Sequence, residues 1–172
     1  MSLVEVRVNG LVVEQKAQQN VVILRETDGV RILPIWIGPG EAHAIRRLLA
    51  DEPFPRPLTH DLLHAVVEGL KGRVARVVIA ELKDNTFYAN IVIERGDERM
   101  SIDARPSDSI AVALKAHAPI FVNETLLMPP PSEPAEPEGP EPPQAPTAED
   151  KAEQLRRFLE KLNPEDFGKF QL

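Results

Sequence analysis

The sequence contains no cysteine. That excludes a disulfide framework, a thiolate metal site and a cysteine nucleophile. No apolar run approaches the ~20 residues that a membrane-spanning helix needs, and the opening MSLVEVRVNG lacks the basic-then-apolar order of a secretory signal. A cytoplasmic protein without membrane contact is expected. A Gly-rich phosphate loop is also missing, since Gly38-Pro39-Gly40 is too short and its proline removes an N–H that such a loop uses. Nor is there the basic excess that supplies most of the affinity of nucleic-acid binders. Residues 1–128 carry 15 Lys and Arg against 17 Asp and Glu, and residues 129–172 carry 5 against 10. Contact with nucleic acid would have to use a local patch, for which Arg46, Arg47 and Arg56, or Lys71, Arg73 and Arg76, are close in sequence.

What is present is a chain of 172 residues, 42% hydrophobic, long enough for one domain with a real core. Nine of the 17 prolines lie between Pro129 and Pro146, among Glu and Ala. Such a stretch buries too little apolar surface to offset chain entropy, so residues 129–146 read as a disordered linker between a domain at 1–128 and a tail at 147–172. In the tail, Thr147-x-x-Asp150 has the spacing of a capping box, and Leu155, Phe158, Leu159 and Leu162 form a narrow apolar stripe. A helix so short is marginal alone in water. It is expected to dock on its own domain, on a second copy or on a protein partner, and a further turn from Asn163 would add Phe167 and Phe170.

Within the domain, Val4, Val6 and Val8 alternate with Glu5 and Arg7 as in a half-buried strand, which Leu11 to Gln15 either continues or, through Asn9-Gly10, answers as a hairpin. Asn20 to Glu26 and Arg31 to Ile37 predict two strands joined by Thr27-Asp28-Gly29. A helix is predicted over Glu41 to Ala50, then a Pro-rich turn over Asp51 to Pro57. A second helix follows over Asp61 to Leu70, with Thr59 as its cap. Arg73 to Leu82, Thr86 to Glu94 and Met100 to Ala104 predict three consecutive antiparallel strands. Strands joined by tight turns favour an α+β fold, an antiparallel or mixed sheet packed with about three helices, over a doubly wound parallel sheet.

The richest stretch is Ser101 to Val122, a strand, a polar elbow, a proline-started helix and another strand. Period-two alternation sends Asp103 and Arg105 to the same face. Pro106 suits a first helical turn, and Ser107 and Asp108 set polar groups beside its free N–H groups. Glu41, Asp61, Asp103 and Asp108 all stand at the ends of elements, where hard divalent cations such as Mg²⁺ or Mn²⁺ find several oxygens. Against that, Asp61 and Asp108 are ordinary first-turn residues, and Asp103 with Arg105 makes a plain ion pair. His60-Asp61-Leu62-Leu63-His64 resembles a zinc-protease helix but has Asp in place of Glu and no third ligand at a recognisable spacing. Trp36, the single tryptophan, is better read as core or subunit interface than as a base-stacking platform.

Four segments together, LPIWIGPGEAHAI (33–45), RPLTHDLL (56–63), TFYANIVI (86–93) and SIDARPSDSIAVALKAHAPIFV (101–122), resemble the bifunctional nuclease domain family of bacteria and plants over about residues 1–128. The resemblance implies an α+β homodimer with DNase and RNase activity, as reported for some relatives. It marks Glu41 and His43, then Thr59, His60 and Asp61, then Asp103, Arg105, Ser107 and Asp108 as motif positions. Two functions follow. In the first, a phosphodiesterase, carboxylates among Glu41, Asp61, Asp103 and Asp108 hold Mg²⁺ or Mn²⁺, His60 or a metal-bound water supplies the base and Arg105 steadies the phosphate of DNA or RNA. In the second, a non-catalytic dimeric regulatory module, those residues are caps and ion pairs and the C-terminal helix recruits a partner.

Overall fold

The computed structural model describes residues 1–14, 16–131, 148–163 and 166. Most of the linker, Thr147 of the capping box, and Phe167 and Phe170 lie outside the described residues. The architecture is α+β: a seven-stranded mixed sheet with helices on both faces.

The first half of the chain makes an antiparallel meander. β1 (Leu3–Glu14) pairs with β2 (Gln19–Glu26), and β2 with β3 (Ile32–Ile37). Asn9-Gly10 does not turn a hairpin. It sits at a bulge inside one long strand, where Gly10 takes φ 140°, a conformation that side-chain-bearing residues avoid. The second half repeats the theme with β4 (Arg73–Lys83), β5 (Thr86–Arg95) and β6 (Glu98–Ala104). Asp84 and Asn85, both at positive φ, form the two-residue turn that matches strand twist. β7 (Ile120–Asn123) joins the halves, antiparallel to β1 and parallel to β4, which makes the sheet mixed and gives the order β3-β2-β1-β7-β4-β5-β6.

Three helices cover one face: α1 (Pro39–Leu49), α2 (Thr59–Gly69) and α3 (Pro106–Ala116). They enclose the main core, in which Val22, Leu24, Ile45, Val77, Ile79, Ile110 and Val122 are solvent-inaccessible. α1 begins two residues before the sequence suggests, because Pro39 fits the first helical turn and Gly38 serves as its N-cap.

The tail forms α4 (Ala148–Lys161) and docks on its own domain, against the opposite face of the first three strands. Leu155, Phe158, Leu159 and Leu162 meet Val21, Ile23, Ile32 and Trp36 there. This explains the unbroken Val21-Val22-Ile23-Leu24 run: alternate residues serve two cores, as expected for a strand covered on both sides. Trp36 is therefore core, 6% exposed. Being the single tryptophan, it reports on the helix above it. Leu159→Asp places a charge in the middle of the contact, and Trp36 emission is expected to shift to the red as α4 lifts away. An unchanged spectrum would contradict the docking.

Candidate functional site

The polar residues of the three sequence motifs separate into two networks. The first begins at the elbow. β6 ends at Ala104, and Arg105 is already the N-cap of α3, so strand alternation no longer governs it. Its guanidinium turns toward the helices, with Nε donating to Asp108 Oδ2 at 2.8 Å and an Nη 3.0 Å from Glu41 Oε1 of α1. Asp108 in turn lies 3.0 Å, through Oδ1, from His60 Nε2 of α2. Glu41, Arg105, Asp108 and His60 thus form a chain linking the first turns of α1, α2 and α3. No side chain caps α3, so Asp108 serves this chain rather than the free N–H groups beside it.

The charges set one another. The hydrogen bond with His60, with help from Arg105 and against the opposing effect of burial, holds the Asp108 carboxyl down at about 2. Arg105 is pushed above its ordinary value, chiefly by Asp108. With Nε2 tied to Asp108, the His60 ring is fixed in orientation, and its Nδ1 makes no hydrogen bond among the described residues. An imidazole oriented by a carboxylate, with its other nitrogen free, is the arrangement used for general acid–base transfer.

The second network is built on Asp61. Burial by itself would raise this carboxyl, but the Leu58 N–H, Arg47 and Lys115 bring it down to about 2. Leu58 N donates to Oδ2 at 2.9 Å, Arg47 donates to both oxygens at 3.1 and 3.0 Å, and Lys115 Nζ stands 3.2 Å from Oδ1. Leu58 is the N-cap of α2 and Thr59 its first helical residue, so the capping expected of Thr59 is done by Asp61, accepting the backbone N–H. Arg47 is buried, which removes it from any basic surface patch. These partners were not read from the sequence. The available signal was an acid at the third position of a helix that opens a Pro-bounded turn.

Asp103 belongs to neither network. Its cross-strand neighbour is Asn90, while Ile102 and Ala104 pair with the core residues Ile91 and Ala89. Alternation points the Asp103 side chain to the sheet face away from α1, α2 and α3, while the residue itself still borders a groove beside His60 and Asp108. It makes no ion pair with Arg105, contrary to the alternation argument. His43 is exposed and Ser107 is buried. His64 turns to Glu68, 3.7 Å away, rather than joining His60 in a zinc pair.

Glu41, Asp61, Asp103 and Asp108 accordingly do not converge on one cation. Among the described residues no group of three or more His, Asp or Glu side chains is placed to hold a metal ion. Glu41 and Asp108 are neutralised by Arg105, Asp61 by Arg47 and Lys115, and Asp103 faces elsewhere. This donor set does not fit Mg²⁺ or Mn²⁺.

Beside His60 and Asp108 lies a groove of about 440 Å³ between α2, α3 and β6, floored by aliphatic residues that include Leu63, Val67, Ile91 and Ile102 and edged by Arg105. A larger cleft, about 710 Å³, opens on the Asp61 side beneath the Pro53–Pro57 turn and Phe54. The hydrogen-bonded Asp108–His60 pair faces the smaller space. No helix among the described residues is long and apolar enough to cross a membrane.

Fold and site together define a mixed-sheet α+β domain with an arginine-bridged acid–histidine chain at the mouth of an apolar groove. The chain belongs to the bifunctional nuclease domain family, whose model matches residues 22–130. It is 40% identical over 169 residues to an uncharacterized protein of Mycobacterium tuberculosis, covering 95% of this chain and 97% of that one. It is also 26% identical over 129 residues to bifunctional nuclease 1 of Oryza sativa subsp. japonica, covering 68% of this chain but 39% of the plant protein. The same figures hold for a bifunctional nuclease of Oryza minuta.

Proposed function

We propose that the protein is a nuclease that hydrolyses phosphodiester bonds of single-stranded DNA or RNA, with His60 as the proton-transferring group. The observation that carries this reading is the chain His60–Asp108–Arg105–Glu41 beside an open groove. His60 removes a proton from the attacking water as its oxygen bonds to phosphorus and the bond from phosphorus to the leaving sugar oxygen breaks, that oxygen taking its proton from solvent, while Asp108 holds the ring and offsets the charge it gains. Arg105, with its side chain 59% exposed, meets a non-bridging phosphate oxygen, and Glu41 positions it. Family membership and the plant nucleases support the reaction class. The residue assignment rests on the geometry.

The test is cleavage of labelled single-stranded DNA and RNA oligonucleotides by the purified protein. Arg105→Ala is expected to lower turnover by about 10²-fold or more, the usual cost of one charge-stabilising donor. Asp103→Ala, at the border of the groove but in neither polar network, is expected to keep wild-type turnover. Equal cleavage by wild type and Arg105→Ala would point to a contaminating nuclease and end the proposal.

A further inference from the structure

α4 leaves half of its sheet face bare. Its apolar contacts stop at Val12 of β1, and the helices that pack on β4 and β5 are α2 and α3, on the other face. Val78 and Val92 point to the bare side, belong to neither core, and are screened by the long side chains around them.

Strand register sets three arginines in a row there. Arg7 lies directly opposite Arg25. Val6 and Val77 both pair with Ile120, so one step along the strands Arg7 and Arg76 flank Pro119. Val6 and Val77 point into the main core and Ile23 lies under α4, so alternation turns Arg7, Arg76 and Arg25 to the bare side. At about 4.8 Å per strand the row spans roughly 15 Å. Among the described residues Arg7 and Arg76 have no ion-pair or side-chain hydrogen-bond partner, and Arg25 reaches only the Gly29 carbonyl, 3.5 Å from its Nε. Like charges directly opposite each other on a sheet are destabilising. An anion from outside would relieve the Arg7–Arg25 pair. On one side of the row Arg73 and Arg99, 72% and 66% exposed at their side chains, share the single carboxylate of Glu94. The other acids of this face, Glu5, Glu81 and Asp103, all stand on the opposite side of the row. There too lie two aromatic rings, Phe121, half-buried between Glu5 and Val78, and Tyr88, 40% exposed.

We propose that this bare sheet face binds single-stranded nucleic acid, with phosphates along Arg25, Arg7 and Arg76 and bases over Phe121 and Tyr88. A cationic track with aromatic rings along one side matches a strand whose charge runs down one edge and whose unpaired bases offer stacking faces on the other. A duplex hides those faces. The domain is near neutral as a whole, so its affinity for a polyanion has to come from cations gathered in one place, as Arg7, Arg25, Arg73, Arg76 and Arg99 are here. β6 is the edge of the sheet, with Ser101 and Asp103 on the platform side and Ile102 lining the groove beside His60. A strand that leaves the platform over this edge enters the groove. This last step rests on the nuclease reading, whereas the binding surface does not.

The test is fluorescence anisotropy of a labelled oligothymidylate of about 12 nucleotides, titrated with full-length His60→Ala protein over a series of salt concentrations. Arg7→Gln and Arg76→Gln, each added to that background, are expected to lower the slope of log affinity against log salt by about 0.7. Tyr88→Ala is expected to weaken binding about tenfold with the slope unchanged. Arg46→Gln, exposed on α1 across the sheet, is expected to change neither. Circular dichroism checks that each variant keeps its fold. No binding by the parent protein, an unchanged slope in both arginine variants, an equal loss in Arg46→Gln, or displacement by polyglutamate as effective as by unlabelled oligonucleotide would each overturn the proposal. Binding with these slopes by a wild-type protein that cleaves nothing would end the nuclease reading and leave the platform standing. Cleavage with the slopes unmoved would do the reverse.

Discussion

Asp61→Ala is expected to cost about 3 kcal/mol of stability, a fall of roughly 6–12 °C in melting temperature, while cleavage per folded molecule survives. The reason is what the substitution leaves behind. Arg47 is 8% exposed, and its partners are Asp61 and the Glu52 carbonyl. Removing the carboxylate strands a buried guanidinium, which is far more costly than losing a surface ion pair. Lys115, with its side chain 38% exposed, recovers solvation and contributes less. The pH dependence has a definite sign. Asp61 is lowered from 3.8 to about 2 in the folded state, so its contribution is complete above about pH 4 and is lost as the pH falls through about 2. The melting temperature of the wild type should therefore fall more steeply than that of Asp61→Ala between pH 4 and 2. Adding Arg47→Met to Asp61→Ala replaces the stranded charge with an apolar chain of similar length and should restore much of the loss. Melting curves of the wild type, Asp61→Ala and the double variant check all three statements.

His60→Ala should do the reverse, lowering turnover by about 10²–10⁴-fold, the range for losing a general acid–base group, with little change in melting temperature. Its ring contributes one hydrogen bond, to Asp108, and Asp108 keeps Arg105 as a partner when the imidazole is gone. Free imidazole added to His60→Gly should restore part of the activity, an outcome that a purely structural role for His60 does not produce. Asp108→Asn keeps the shape but removes the charge that orients and balances the ring. It is expected to act mainly on the maximal rate rather than on the Michaelis constant.

Much of this was legible in the sequence because local chemistry and global fold agree. The β4–β5–β6 meander, the proline-started α3 and the apolar stripe of α4 all follow from period and punctuation. The candidate site was harder, and the failures have causes. Alternation placed Asp103 beside Arg105, but the strand stops at Ala104, and one residue of helix cap is enough to send the two side chains to different faces. First-turn acids were read as caps or metal ligands. Asp61 does cap, and Asp108 does not, because an arginine and a histidine from other elements reach it first. Arg47 looked like surface basic charge because nothing local shows that α1 packs it beneath Glu52 and against Asp61. The outward leucines of α2 fit a helical stripe equally well whichever side it faces. Periodicity gives the face of a helix but not its orientation in the fold.

The central claim is that the motif residues divide into a chemical chain through His60 and a structural one through Asp61. It is tested most directly by measuring turnover and melting temperature of His60→Ala and Asp61→Ala on one single-stranded substrate. The expected result is a double dissociation, in which His60→Ala is stable and at least about 10²-fold slower, and Asp61→Ala melts early but turns over normally below its transition. If His60→Ala cleaves at the wild-type rate, or both variants lose stability and turnover together, the division does not hold.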